Sequence, residues 1–179
     1  MSSYISILHA AILAAAAVAL LAAAYHDIRS FRIPNIYCLI LLLLFPAMVL
    51  SAPHSMTPQW TGHLIVFAIV LALGFLLTAT RLIGAGDAKL IASLSLWAGP
   101  AYALPMIFYI TLAGGLLALS LGLLTWLRAT RATPEGPSQA MAKLAKTPIP
   151  YGIAIAIGGI VMIAHMAQTH LVQSNIATG

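Results

Sequence analysis

Ala88–Leu127 reads AKLIASLSLWAGPAYALPMIFYITLAGGLLALSLGLLTWL, and Lys89 is its only charged residue. As one helix, these 40 residues would be about 60 Å long, twice the thickness of the hydrocarbon core of a bilayer. Three helix breakers, Gly99, Pro100 and Pro105, lie near the first third of the stretch. The sequence therefore predicts two helices here, with a turn somewhere in Gly99–Pro105.

Four further apolar runs flank this stretch, and each approaches the roughly 20 residues that a helix needs to cross a bilayer. They are Tyr4–Tyr25, Ile36–Ala52, Gly62–Thr80 and Ile149–Gln168. Of all 179 residues, 62% are apolar and 6% are charged, whereas soluble domains carry about 25% charged residues. We therefore expect an all-α, polytopic membrane helix bundle of about six transmembrane helices, with residues 1–179 forming a single membrane-embedded domain.

The basic residues are confined to three predicted loops, at about residues 26–35, 81–89 and 128–147. They are Arg29 and Arg32, Arg81 and Lys89, and Arg128, Arg131, Lys143 and Lys146. The segments 1–25, 53–61, 99–105 and 169–179 contain no Lys or Arg. With six spans, all three basic loops fall on one side, which the positive-inside rule assigns to the cytoplasm. Both termini are then outside, and the net charge of +5 indicates membrane orientation rather than nucleic-acid binding.

The chain has three acidic residues, Asp27, Asp87 and Glu135. Asp27 and Asp87 are predicted at the cytoplasmic ends of two spans, at the same depth, whereas Glu135 lies in the long basic loop. Two adjacent carboxylates share a proton, so one can activate water while the other polarises a carbonyl. This chemistry needs no metal and no cofactor. The structural alternatives are an N-cap role for Asp87 and an ion pair of Asp27 with Arg29 or Arg32.

Other residues in the sequence are weaker candidates for a catalytic or metal site. Cys38 is the only cysteine and there is no HExxH motif, so no metal site is predicted. Lys89 and Ser93 are spaced i, i+4 and could imitate a Ser–Lys dyad. The three tryptophans lie near predicted span ends, where an interfacial belt is expected; they are Trp60, Trp97 and Trp126.

Three motifs, in this order, resemble those of the type IV prepilin peptidases, a family of GxGD intramembrane aspartic peptidases. The motifs are Asp27-x-Arg29-x-x-x-Ile33-Pro34-Asn35, Gly84-x-Gly86-Asp87-x-Lys89-Leu90 and Pro150-Tyr151-Gly152. The resemblance implies that Asp27 and Asp87 are the catalytic pair. It also implies supporting roles for the other motif residues, namely Arg29, Pro34, Asn35, Gly84, Gly86, Lys89, Pro150, Tyr151 and Gly152.

The resemblance further implies a substrate, a prepilin or pseudopilin whose leader is cut at the cytoplasmic face of the bacterial inner membrane. Membrane lipid and the pilus assembly machinery would be its other partners. Long members of the family carry paired CxxC motifs and N-methylate the pilin; here Cys38 stands alone, so methyltransferase activity is not expected. The short form looks like the peptidases of tight-adherence (Flp) pili. Archaeal-type preflagellin peptidases, a small proton- or cation-coupled transporter and a noncatalytic scaffold are the alternatives.

Overall fold

The computed structural model describes residues 2–51, 60–132 and 149–178. These residues form five helices, which we number α1 to α5, and no strand among them. The helices are α1 Ser2–Ser30, α2 Asn35–Ser51, α3 Trp60–Ala79, α4 Ala85–Ala132 and α5 Tyr151–Thr178. The predicted all-α architecture is confirmed. The predicted 128–147 loop lies largely outside the described residues, including Glu135.

Helix α4 is broken at Gly99, within the turn region that the sequence predicts. Gly99 has φ 56° and ψ −167°, in the left-handed region that favours glycine. The break divides α4 into a first arm, residues 85–98, and a second arm, residues 100–132. Pro105 does not interrupt the second arm.

A side chain from another helix provides the hydrogen bond that the helix lacks at the break. Pro100 has no N–H, so it cannot donate to the carbonyl of Leu96, four residues earlier. Nδ1 of His63 on α3 lies 2.7 Å from that carbonyl oxygen and supplies the missing hydrogen bond. The His63 ring also occupies the space that a Cβ on residue 99 would need. Phe45 packs beside this ring, with 5.6 Å between the ring centroids.

The two arms of α4 run in opposite directions. Contacts of Gly74 with Ala88 and of Gly62 with Pro100 make the first arm antiparallel to α3. Helix α2 is parallel to the first arm and antiparallel to α1, and α1 is antiparallel to α5, as shown by the contacts at the ends of each pair. Since Gly114 meets Tyr151 and Gly158 meets Ile110, the second arm is antiparallel to α5. Six helical segments therefore alternate in direction.

The apolar core lies between α1, α2, α4 and α5. Its largest fully buried side chains include Leu20, Leu41, Leu94, Trp97 and Ile155. Helix α3 packs mainly against α4 among the described helices, with Phe45 of α2 beside its Trp60 and His63 rings. Gly74 is the only buried residue of α3. Most of α3 therefore presents apolar side chains outward, as expected of a helix in contact with lipid.

Four of the described helices are long and apolar enough to cross a membrane. Their apolar stretches are Ile7–Ser30, Trp60–Ala79, Ala85–Leu127 and Tyr151–Thr169. Helix α2 is equally apolar but has only 17 residues. The chain is thus a multi-pass membrane protein by length and composition of its helices.

Candidate active site

Asp27 lies inside a helix and not after it. The sequence predicts that the first span ends at Tyr25, but α1 continues to Ser30 because hydropathy marks the apolar part of a helix and not its end. The side chain of Asp27 is buried, with 5% of its surface exposed. Burial of a carboxylate requires a hydrogen-bond donor, and the structure provides one from a distant part of the chain.

The donor to Asp27 is the backbone amide of Gly152, at 2.7 Å from Oδ2. Gly152 is the second residue of α5, so its N–H is one of those that have no acceptor within the helix. The amino end of a helix carries partial positive charge, which stabilises a carboxylate placed there. Asp27 therefore completes the hydrogen bonding of α5 while α5 holds Asp27 in place.

The position of Gly152 leaves no room for a side chain. A Cβ on residue 152 would lie 2.8 Å from Cβ and 2.9 Å from Oδ2 of Asp27. Glycine is thus required here for close approach rather than for backbone freedom. Pro150 precedes the helix, and the Tyr151 ring lies 3.7 Å from the place that a Cβ on residue 114 of the second arm would take.

Asp87 lies in the first turn of α4, two residues inside the helix and not just before it. The helix begins after Gly84, whose carbonyl accepts the Ala88 amide at 3.0 Å. The Gly84 amide in turn donates to the Asp87 carboxylate, which is one half of a capping box, since glycine has no side chain that could accept the Asp87 amide. The expected capping role is therefore present, but the N-cap residue is Gly84 and Asp87 is the third helical residue.

The bundle brings the two aspartates together. Asp27 and Asp87 are 60 positions apart in the sequence, on α1 and α4, yet the charge of Asp27 acts on the Asp87 carboxylate. Each carboxylate accepts one backbone amide at the start of a helix. Among the described residues, no other hydrogen bond is made to Asp27. The site thus holds two carboxyl groups that interact electrostatically and leaves oxygen atoms for a reactant.

Gly86 and the connector between α1 and α2 form a second close contact beside the pair. A Cβ on residue 86 would lie 3.2 Å from Cβ of Ile33 and 3.4 Å from its carbonyl oxygen. Ile33 is buried, and Pro34 follows it directly before α2 begins. Gly86 therefore lets the connector from Asp27's helix lie against the first turn of α4, which carries Asp87.

Lys89 and Ser93 do not form a dyad. Ser93 Oγ donates to the backbone carbonyl of Lys89 at 2.9 Å, while Nζ of Lys89 donates to Oδ1 of Asn35 at 3.3 Å. Since the hydroxyl and the ammonium point to different partners, the Ser–Lys alternative has no support in the structure. Arg29 lies over the ring of Tyr25, 5.0 Å from its centroid, and makes no ion pair with Asp27 among the described residues.

Sequence reasoning did not anticipate the Gly152 amide as the partner of Asp27. The signal was nevertheless present, because a proline followed by an apolar run indicates a helix start with free amides. No group of three His, Cys, Asp or Glu side chains within the described part of the chain could hold a metal ion.

The family model of the type IV leader peptidases matches residues 14–119, which is more than half of the 179 residues. The chain belongs to the type IV leader peptidase family. Asp27, Asp87 and both first motifs lie inside the matched range, whereas Pro150-Tyr151-Gly152 lies beyond it. Comparison with curated proteins and with solved structures finds no significant match.

Proposed function

We propose that the protein is an aspartic endopeptidase that removes the leader peptides of prepilins or pseudopilins, with Asp27 and Asp87 as its catalytic pair. The observation that carries this proposal is the meeting of these two carboxyl groups, which come from separate helices and interact electrostatically at one end of the bundle. Membership of a leader peptidase family supports the substrate class. Prepilins are the leader-bearing substrates that the three motifs imply.

The reaction follows from the two carboxyl groups. Repulsion between them favours a state in which the pair holds one proton. The ionised member takes a proton from water as the oxygen attacks the scissile carbonyl, and the protonated member donates to the carbonyl oxygen. The amides of Gly152 and Gly84 hold the two side chains in place, so little reorganisation is needed during the reaction.

The topology of the proposal is six membrane crossings with both termini outside. It is supported by the six alternating helical segments and by the placement of Arg29, Arg32, Arg81 and Lys89 at the same end as the aspartates. The positive-inside rule then assigns this end to the cytoplasmic face of the bacterial inner membrane. Cleavage would occur there, at the junction between the substrate's leader and its apolar helix.

Within this family, we propose the tight-adherence type of prepilin peptidase. The proposal does not include N-methylation, because Cys38 is the only cysteine. A transporter is less well supported, because carboxylates of transport sites lie near the bilayer midplane, whereas Asp27 and Asp87 lie at one end of the bundle.

The proposal is tested by coexpression with candidate prepilins of the tight-adherence class, followed by gel electrophoresis and N-terminal sequencing of the pilin. We expect wild type to shorten the pilin by its leader and D87N to leave it intact. Equal amounts of both proteins in the membrane fraction serve as the control. If D87N shortens the pilin as wild type does, the aspartic mechanism is wrong.

A further inference from the structure

The start of α2 and the first arm of α4 are joined by a regular series of contacts, which we name the α2–α4 ladder. The contacts follow one another in parallel register along the two helices. Beginning at the end nearest to Asp27 and Asp87, they are Ile33 with Gly86, Asn35 with Lys89, Cys38 with Ser93, and Leu41 with Trp97.

Two of these four contacts are polar and buried. The thiol of Cys38 lies against the hydroxyl of Ser93, and both side chains are buried. Further along, Nε1 of the fully buried Trp97 donates to the Leu41 carbonyl at 2.9 Å. The Trp97 bond fixes the rotation and the register of α2 against α4, because a shift of either helix would leave its buried N–H without an acceptor.

The pair Asn35–Lys89 is the exposed polar contact of the ladder, and of the polar contacts it lies nearest to Asp27 and Asp87. Both side chains are exposed, so their hydrogen bond at 3.3 Å is not needed to satisfy a buried group. The position of this hydrogen bond links it to the two aspartates. Lys89 is two residues after Asp87, which lies in the first turn of α4. Asn35 begins α2 immediately after the connector from Asp27's helix.

We propose that Lys89 and Asn35 are positioning residues, which set the separation of Asp27 and Asp87 by tying the amino ends of α2 and α4 together. This inference rests on the proposed peptidase function. The groups that act on the Asp87 carboxylate are the Asp27 carboxylate and the backbone amide of Gly84. Lys89 therefore acts through the position of the helices and not as a charge beside Asp87. Its ammonium is directed to Asn35 and makes no contact with either carboxylate among the described residues.

The test is a double-mutant cycle on the purified, reconstituted enzyme, with K89M, N35A and the double variant assayed for cleavage of a prepilin. A change of about 1 kcal/mol in the activation free energy corresponds to about fivefold in rate. We expect K89M and N35A each to lower kcat about fivefold with KM unchanged, and the double variant to equal the single ones. K89R and N35D, which keep a donor and an acceptor, should retain most of the wild-type rate.

Three results would overturn the inference. They are an unchanged kcat in K89M, an increase in KM as the main effect, which would indicate a substrate contact instead, and multiplicative effects in the double variant. Because both side chains are exposed, the melting temperature of each variant should remain close to that of wild type, which separates positioning from folding. Failure of the proposed function gives a different result, since wild type itself would then leave the prepilin uncut, or D27N would cut it as wild type does.

Discussion

The substitution Gly152→Ala tests most sharply how α5 holds Asp27. The added Cβ would lie 2.8 Å from Cβ of Asp27, whereas ordinary contacts of this kind begin at 3.4 Å. The carboxylate or the start of α5 must therefore move by about 0.6 Å, a difference between those two distances. The atoms in the way are Cβ and Oδ2 of Asp27, and neither belongs to the flexible end of a long side chain. A change of rotamer therefore cannot absorb the displacement.

The expected consequence is a large loss of rate with a small loss of stability. Overpacking costs about 1–3 kcal/mol, and the better helix propensity of alanine returns about 1 kcal/mol of this. A displacement of about 1 Å in a catalytic group lowers the rate roughly 100-fold, so a shift of this size should lower kcat about 10- to 100-fold. The assay is cleavage of a prepilin by the reconstituted enzyme, together with its melting temperature.

Gly115→Ala is the matched control, because a Cβ at residue 115 would meet nothing within 4 Å. It makes the same chemical change in a helix and should leave kcat unaltered. If Gly152→Ala and Gly115→Ala have the same kcat, the Gly152 amide does not position Asp27 for the reaction, and the reasoning from close approach is refuted.

The break in α4 and the end of α3 give further predictions. Gly99→Ala should destabilise the protein by about 2–4 kcal/mol, since alanine is disfavoured at φ 56° and its Cβ would overlap the His63 ring; a melting temperature equal to that of Gly115→Ala would contradict this. His63→Phe keeps the ring but removes the donor to Leu96, so it should lower the stability by about 1–3 kcal/mol, and an unchanged thermal melt would show that the bond is dispensable. Arg81 has φ 59° at the left-handed residue that ends α3, where glycine is preferred. Arg81→Gly should raise the melting temperature by roughly 1–4 °C, whereas Arg81→Ala, which loses the same charge without relieving the backbone, should not.

The helical class and the place of the α4 break were predictable because both depend on local sequence. Long apolar runs allow only helices in a membrane, and the breakers confined the turn to Gly99–Pro105. The choice of Gly99 within that window depends on His63, which is on another helix and supplies the hydrogen bond that Pro100 cannot make. Such a long-range partner is invisible to a local pattern. Pro105 remains within the helix, although it was an equal candidate for the break.

The candidate site was predictable in its residues and not in its contacts. Asp27 and Asp87 stood out because acidic residues are rare in an apolar chain, and the motifs selected Gly84, Gly86 and Gly152. Their reasons for being glycine depend on what approaches them, which is Asp87, Ile33 and Asp27 respectively. The expectation for Trp97 was wrong, since it is fully buried and donates to the Leu41 carbonyl; proximity to a span end does not reveal which face of a helix packs inward.

In the proposed mechanism Asp27 and Asp87 act as one catalytic unit, and a double-mutant cycle on this pair is its most direct test. D27N, D87N and the double variant should be purified, reconstituted and assayed with a prepilin in parallel with wild type, with melting temperatures as the control for folding. We expect each single substitution to lower kcat at least about 1,000-fold and the double variant to be no slower than either single one, because the effects of groups that act as a unit are not additive. Retention of more than about a tenth of the wild-type rate by a folded single variant, or a double variant whose loss is the product of the two, would contradict it.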